Sequence, residues 1–393
     1  MGKLPRPPAR AVGELRGGVK LVVDGVHGVT GIVEAMHSRI ARVPPPLGPR
    51  ADAPTRGVTG LVYRSIHGTT GLVGKGLDLA LAGVQALLKA ATQDLAEEEA
   101  MPRRDAVVSA LNGVIGDHLE RTGNPLALKM ELHPRAAATP RALLLIHGLC
   151  MNDRQWMRSG HDHGQALAQA LGYTPVYARY NTGRHISANG LDLAIELERL
   201  LRAWPVPIES LAIVGHSMGG LVARSAVHQA TEAGMAWPDR LGHLFFLGSP
   251  HHGAPLERGG NWLHRGLGIS PYVAPFTRLS GLRSAGITDL RHGNLLEGDG
   301  TGDRFTQRDT RKPVPLPAGV ACYAVAGTLG EGASDEWLGD GLVPLASALG
   351  RHARPTRDLR IAPSRAFVAR GVNHLDLLSN PLVYERLRRW LAA

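Results

Sequence analysis

The chain has 393 residues, enough for a complete α/β domain and additional material, because single domains commonly run about 100 to 250 residues. Lys and Arg number 44 against 34 Asp and Glu, a formal net charge of +10. Such a field attracts nucleic acid, anionic lipid and acidic molecules alike, but aromatic residues make up only 5% and no nucleic-acid motif accompanies the charge, which argues against a specific nucleic-acid partner. The two cysteines, Cys150 and Cys322, make no disulfide framework and fit a reducing compartment. No apolar run reaches the roughly 18 residues of a membrane span, and the first residues have no signal-peptide core. The expectation is a cytoplasmic protein, with peripheral attachment to a membrane surface open to it.

In chain order, residues 1–125 read as an N-terminal helical region. Val22, Val26, Val29, Val33, Met36 and Ile40 recur at steps of four and three, the spacing of one helical face, and Pro44-Pro45-Pro46 stops the run. A second helical stretch covers Val58 to Ala90, and a third Asp105 to Arg121, closed by Gly123-Asn124-Pro125. Within the first two a phrase recurs: Gly28-Val29-Thr30-Gly31, Gly57-Val58-Thr59-Gly60 and Gly68-Thr69-Thr70-Gly71. Each interior glycine costs about 1 kcal/mol against alanine in a helix, so the repeats call for a compensating close approach between helices. They read either as a packed helical hairpin or as an amphipathic segment docking on an anionic lipid or polymer surface.

Residues 126–393 then alternate strands and helices. A strand from Leu126 is followed by an apolar one, Arg141–Ile146, running into His147-Gly148-Leu149. Next come a helix at Gln165–Leu171, a strand at Pro175–Tyr180 and a helix at Asn189–Ala203. This order predicts an α/β class fold, with a mainly parallel sheet covered by helices on both faces and chemical groups on loops at the strand C-terminal ends. The run Leu211–Gly220 reads as a buried strand turning sharply into a helix with Ser217 at the turn. Gly215 and Gly219 give such a turn its room, and the N–H groups after the serine, starting with Met218, sit at the positive end of a helix where a developing oxyanion is stabilised. Ser217 is therefore the candidate nucleophile, and His216 beside it a packing residue.

A serine hydroxyl needs a base and an orienting acid. After the strand at Leu244–Leu247 comes Ser249-Pro250-His251-His252-Gly253, and then a Gly-, Arg- and Pro-rich stretch, about 254–317, whose broken pattern suits a cap insertion. Its Trp262, Tyr272, Val273 and Phe276 are candidates to line an acyl pocket, although packing within the insertion explains them as well. A strand at Ala321–Gly327 precedes Gly339-Asp340-Gly341, and a short strand at Ala366–Ala369 precedes Gly371-Val372-Asn373-His374. Asp340, on a glycine-flanked loop, is the preferred acid over Asp335 and Asp376, and His374 the base. The short tracts His161-Asp162-His163 and His251-His252 lack a spaced partner set, so no metal or other cofactor is expected.

The order Ser217, Asp340, His374, with the G-x-S-x-G turn and the G-D-G-x-V-P and N-H-x-D stretches, resembles the α/β-hydrolase superfamily. His147-Gly148-Leu149 resembles the H-G-x motif of lipases and esterases, which implies that the Leu149 N–H joins that of Met218 in an oxyanion hole and places His147 at the pocket. The S-P-H-H-G stretch is similar to T-P-H-x-G stretches in lipases and in glycosylphosphatidylinositol inositol-deacylase-like proteins, and implies that His251 lines the crevice, or fixes its own loop. The resemblance implies a serine hydrolase acting on a hydrophobic carboxylic ester. The alternatives are an acyltransferase using the same three residues and a non-catalytic protein that binds lipid surfaces on a hydrolase fold. If the N-terminal region is the docking element, deletion of residues 1–100 should abolish sedimentation with anionic vesicles and leave turnover of a soluble ester unchanged.

Overall fold

The computed structural model describes residues 97–254, 284–299, 309–330 and 339–393. The chain divides into two compact units, one of residues 1–100 and 119–126 and the other of residues 101–118 and 127–393. The helical face at Val22–Ile40, the Val58–Ala90 stretch, the glycine repeats and most of the expected cap lie outside the described residues. The expected third helix is α1, Glu97–Arg121, with a break at Ile115, where φ is −136° and ψ 21°.

The strand expected from Leu126 starts later, as β1 at Glu131–Pro134. The delay has a local cause: the Asn124 side chain accepts from the Leu126 N–H at 2.9 Å and Gly123 has φ 60°, so residues 122–126 form a turn. Then follow β2 (Arg141–Ile146), α2 (His163–Leu171), β3 (Thr174–Arg179), α3 (Ile186–Arg202) and β4 (Ser210–His216). The rest of the chain supplies α4 (Met218–Glu232), β5 (Leu241–Leu247), the short α5 (Ala285–Asp289), β6 (Ala321–Thr328), α6 (Leu345–Ala348), β7 (Ala366–Arg370) and α7 (Pro381–Ala392). The strands form one sheet in the order β1-β3-β2-β4-β5-β6-β7. Only β1 runs antiparallel, Leu132 pairing with Ala178 on β3, and the other pairings are parallel.

Continuous apolar sequence in β2, β4 and β5 follows from burial of both sheet faces. On one face Leu143, Leu145, Val214, Phe245, Leu247, Tyr323 and Val325 pack with Leu167 of α2 and with Val383, Leu387 and Trp390 of α7. Their neighbours Leu144, Ile213, Leu244 and Phe246 alternate to the other face and are equally buried. There α3 and α4 lie against each other, Gly190 meeting Ser225, and Gly220 of α4 lies over Phe246. This is the α/β-hydrolase fold: a mostly parallel seven-stranded sheet with helices on both faces. No helix among the described residues is long and apolar enough to cross a membrane.

Within the larger unit, α1 packs over the loops at the strand ends. Gly113 sits against Cys150 and its carbonyl accepts from Ser284 Oγ at 2.6 Å, while the Gly116 carbonyl accepts from Asn181 Nδ2 at 2.9 Å. The helix thereby braces the loop that follows β2 from above. In the middle of the sheet, Leu145 has no exposed surface. Leu145→Ala is expected to lower the unfolding free energy by about 2–5 kcal/mol, read from the midpoint of chemical denaturation.

Candidate active site

The parallel strands β2, β4, β5 and β6 end on one edge, and the candidate residues gather there because each follows a strand end. At the end of β4, Ser217 has φ 54° and ψ −124°, a conformation that costs a non-glycine residue about 1–3 kcal/mol. Its surroundings hold it there. The Ser217 N–H donates to the Leu247 carbonyl at 2.8 Å, and the Gly220 N–H closes the turn on the Ser217 carbonyl at 3.1 Å. A side chain at Gly219 would strike the carbonyls of Ile146 and His147, and one at Gly215 would strike the Gly220 backbone. The first turn of α4 thus rides on the end of β2 with no space between.

The loop after β6 folds Asp340 between Gly339, φ 51°, and Gly341, φ 92°. One carboxylate oxygen of Asp340 accepts from the N–H groups of Leu342 at 3.0 Å and Val343 at 2.8 Å. The other lies 2.7 Å from His374 Nδ1, and the His374 N–H donates to the Asp340 carbonyl at 3.1 Å. A carboxylate only accepts, so the proton sits on Nδ1 and the Nε2 lone pair is left available. Gly248, directly after β5, adjoins the pair: a Cβ there would lie 3.1 Å from both Asp340 Oδ2 and His374 Nδ1. Since the Ser217 N–H is bonded to the residue just before Gly248, the serine and the Asp340–His374 pair both lie at the end of β5.

Of the rival acids, Asp376 is turned elsewhere, to Arg158 at 3.0 Å and Asn373 Nδ2 at 2.5 Å. Asp335, Trp262, Tyr272, Val273 and Phe276 lie outside the described residues. His216 packs its ring 4.8 Å from that of His374. Its Nε2–H donates to the His374 carbonyl at 3.1 Å, so it anchors the histidine loop from below. Burial, reinforced by the neighbouring His374, holds its pKa well below the ordinary histidine value, which keeps it neutral.

At the end of β2, a Cβ on Gly148 would lie 3.0 Å from Ser217 Cβ, so this loop adjoins the elbow. The N–H groups after Leu149 are occupied, that of Cys150 by Thr182 Oγ1 at 3.1 Å and that of Met151 by the Gly148 carbonyl at 3.3 Å. Met218, as the first residue of α4, has an N–H without an intrahelical acceptor.

Two residues expected at the pocket are wholly buried. His147 stacks on Tyr180 at 4.5 Å and shares a 2.9 Å hydrogen bond with the Gly148 carbonyl, so it supports the loop from behind. His251 packs edge-on against Phe246 and faces Arg224, with Nδ1 3.3 Å from a guanidinium nitrogen, rather than the Asp340–His374 pair. Nothing in the sequence near Gly248 or His216 signals that they contact the histidine loop, because those contacts cross more than 100 residues of chain. Among the described residues no group of three or more His, Cys, Asp or Glu side chains is arranged to hold a metal ion.

The sheet order and the strained serine turn define a protein of the α/β-hydrolase fold. Residues 138–265, a third of the chain, match the family model described as "PGAP1-like alpha/beta domain". A comparison with curated proteins finds no match. Among solved structures the chain is similar to the mature form of the Bacillus licheniformis lipase BlEst2, at 18% identity over 67% of this chain and 97% of that one, with a TM-score of 0.43. It is similar also to a lipase-esterase related protein from Clostridium acetobutylicum, at 12% identity over 66% and 98% of the two chains, with a TM-score of 0.36. An esterase from Pyrococcus furiosus matches at 12% identity over 65% and 83%, with a TM-score of 0.37.

The buried histidines set an acid limit on stability. Burial lowers the pKa of His147 and of His163 to about 4 in the folded protein, below the value of 6.5 for an unfolded chain. Below pH 6.5 the unfolded state therefore binds more protons, so the contribution is complete above 6.5 and is lost as pH falls toward 4, roughly 3 kcal/mol for each histidine. The melting temperature should fall steadily over that window. His163→Gln, which keeps a donor for the Leu377 carbonyl that His163 Nε2 contacts at 2.9 Å, should flatten the fall by about one proton's worth of slope.

Proposed function

We propose that the protein is a serine hydrolase that cleaves carboxylic esters through an acyl-enzyme on Ser217. The observation that carries this reading is the strained Ser217 turn beside the 2.7 Å Asp340–His374 pair. Ser217 Oγ attacks the acyl carbonyl as His374 Nε2 takes its proton, and Asp340 holds the imidazole in the tautomer that can do so. The oxyanion is held by the N–H groups of Met218 and Leu149, which belong to rigid turns and need no reorganisation. His374 then protonates the leaving alcohol. Water, activated by the same histidine, attacks the acyl-enzyme and frees the acid and Ser217.

The α/β-hydrolase fold and the match to the PGAP1-like domain support hydrolysis, and the lipases and esterases among the similar structures act on the bond class proposed here. Lipid-like or other hydrophobic esters are the proposed substrates, with the cap residues Trp262, Tyr272 and Phe276 as candidate acyl contacts. The tests are direct. Ser217→Ala is expected to lower kcat for a short nitrophenyl ester by at least about 10³-fold while the far-ultraviolet spectrum is unchanged, and to lose labelling by a fluorophosphonate probe. Asp340→Asn should lower kcat by about 10³- to 10⁴-fold yet leave the fold in place. Wild-type turnover by Ser217→Ala would refute the proposal, and product analysis with an added acceptor alcohol distinguishes hydrolysis from acyl transfer.

A further inference from the structure

A second polar centre lies two turns along α4 and contains none of Ser217, Asp340 and His374. It is a cavity of about 380 Å³, bordered by five cationic side chains, Arg224, Arg311, Lys312, Arg357 and Arg360, and one carboxylate, Asp358. That volume falls within the roughly 300–1,000 Å³ of small-molecule sites. Arg224 sits seven residues into α4, so it lies about 10 Å along the helix from Ser217.

Arg224 is 5% exposed, and among the described residues no carboxylate pairs with it. Its terminal nitrogens are engaged by the Val314 carbonyl at 2.5 Å and by His251 Nδ1 at 3.3 Å, but its Nε–H is buried without an acceptor. An arginine N–H only donates, so His251 Nδ1 must accept and its proton sits on Nε2. That Nε2–H is also buried with no acceptor. Arg311 is turned into the same wall, donating to the His251 carbonyl at 2.6 Å and to His252 Nδ1 at 3.0 Å. The nearby Asp309 is shared by Arg311 and Arg357, Asp299 accepts from the Lys312 backbone N–H at 3.1 Å, and among the described residues no carboxylate pairs with the Arg224 guanidinium. Burial together with the charge of Arg311 pushes the Arg224 pKa down to about 9, the mark of a cation lacking its counter-ion.

A buried guanidinium without a carboxylate partner is a costly feature, and an oxyanion held in the cavity that it lines supplies the missing charge. We propose that this cavity binds a phosphate group, free or carried on a small organic molecule, through Arg224 and Lys312. Five cations against one carboxylate around the cavity suit a phosphate, which carries up to two negative charges, better than a singly charged carboxylate. Val314, Pro315 and Leu316 give the cavity an apolar wall and room for an organic substituent. The site does not depend on the ester chemistry assigned to Ser217.

Calorimetric titration of the full-length protein with inorganic phosphate, n-butyl phosphate and n-butanol, in chloride buffers of matched ionic strength, tests this. One-site saturable binding of inorganic phosphate or n-butyl phosphate, with none for butanol, is expected. Arg224→Gln should weaken it by about tenfold or more, and Lys312→Met, at an exposed position, by severalfold. Tighter binding of butyl phosphate assigns an organic phosphate as the ligand, and equal affinity assigns the free anion. Absence of saturable binding by both phosphates overturns the proposal, as does unchanged affinity in the variants. Should circular dichroism show Arg224→Gln to be unfolded, Lys312→Met decides alone. Fluorophosphonate labelling of the same variants should match wild type, which separates this result from the fate of the ester reading.

Discussion

The contact on which the site depends is the one between the first turn of α4 and the end of β2. With no side chain at Gly219, the helix start presses on the carbonyls of Ile146 and His147, and with none at Gly215 the chain reverses within a single residue. Ser217 occupies that residue and carries the strain of φ 54°. The strain persists because a parallel sheet with both faces covered leaves the turn no direction in which to relax. The same contact also draws the Gly148–Leu149 loop alongside the serine, so one packing constraint fixes both the hydroxyl and the neighbouring amides.

Around that junction the histidines divide the work by burial. His374 is directed by Asp340, whose second oxygen is fixed by two backbone N–H groups, so neither partner of the pair can rotate freely. His216 and His147 are sealed, neutral and used as struts, one holding the His374 carbonyl and the other backing the β2 loop. His251 belongs to a separate cationic centre with Arg224 and Arg311. Helix α4 therefore carries two chemically different surfaces: its N-terminus presents the strained serine, and a residue two turns later faces a cavity rich in guanidinium groups. The candidate catalytic groups at the strand ends and the proposed phosphate cavity thus share one helix but differ in chemistry.

Much of the fold was legible in the sequence, and for identifiable reasons. Apolar runs such as Leu143–Ile146 and Leu211–Val214 cannot be surface strands, and the helical stretches between them require parallel pairing. Element ends were displaced where a turn runs on past its own signal, as after Gly123-Asn124-Pro125, where the Asn124 side chain holds Leu126 in the turn and the first strand starts only at Glu131. That this strand runs antiparallel to β3 is not visible in its own four residues. The roles of individual histidines were least legible. His147 and His251 stand in loops that suggest exposure, yet both are sealed by partners, Tyr180 in one case and Phe246 and Arg224 in the other, brought in from distant segments.

The sequence by itself determined the strand–helix alternation, the sharp turn at Ser217 and the glycine-flanked loop of Asp340, because apolar periodicity and glycine placement act over a few neighbouring residues. Only the tertiary structure decided which carboxylate meets His374, that His216 anchors the histidine loop and that Arg224, Arg311 and His251 converge. Those pairings close loops of 27 to 158 residues, and their partners are chosen by how the sheet and helices pack, which no local pattern encodes.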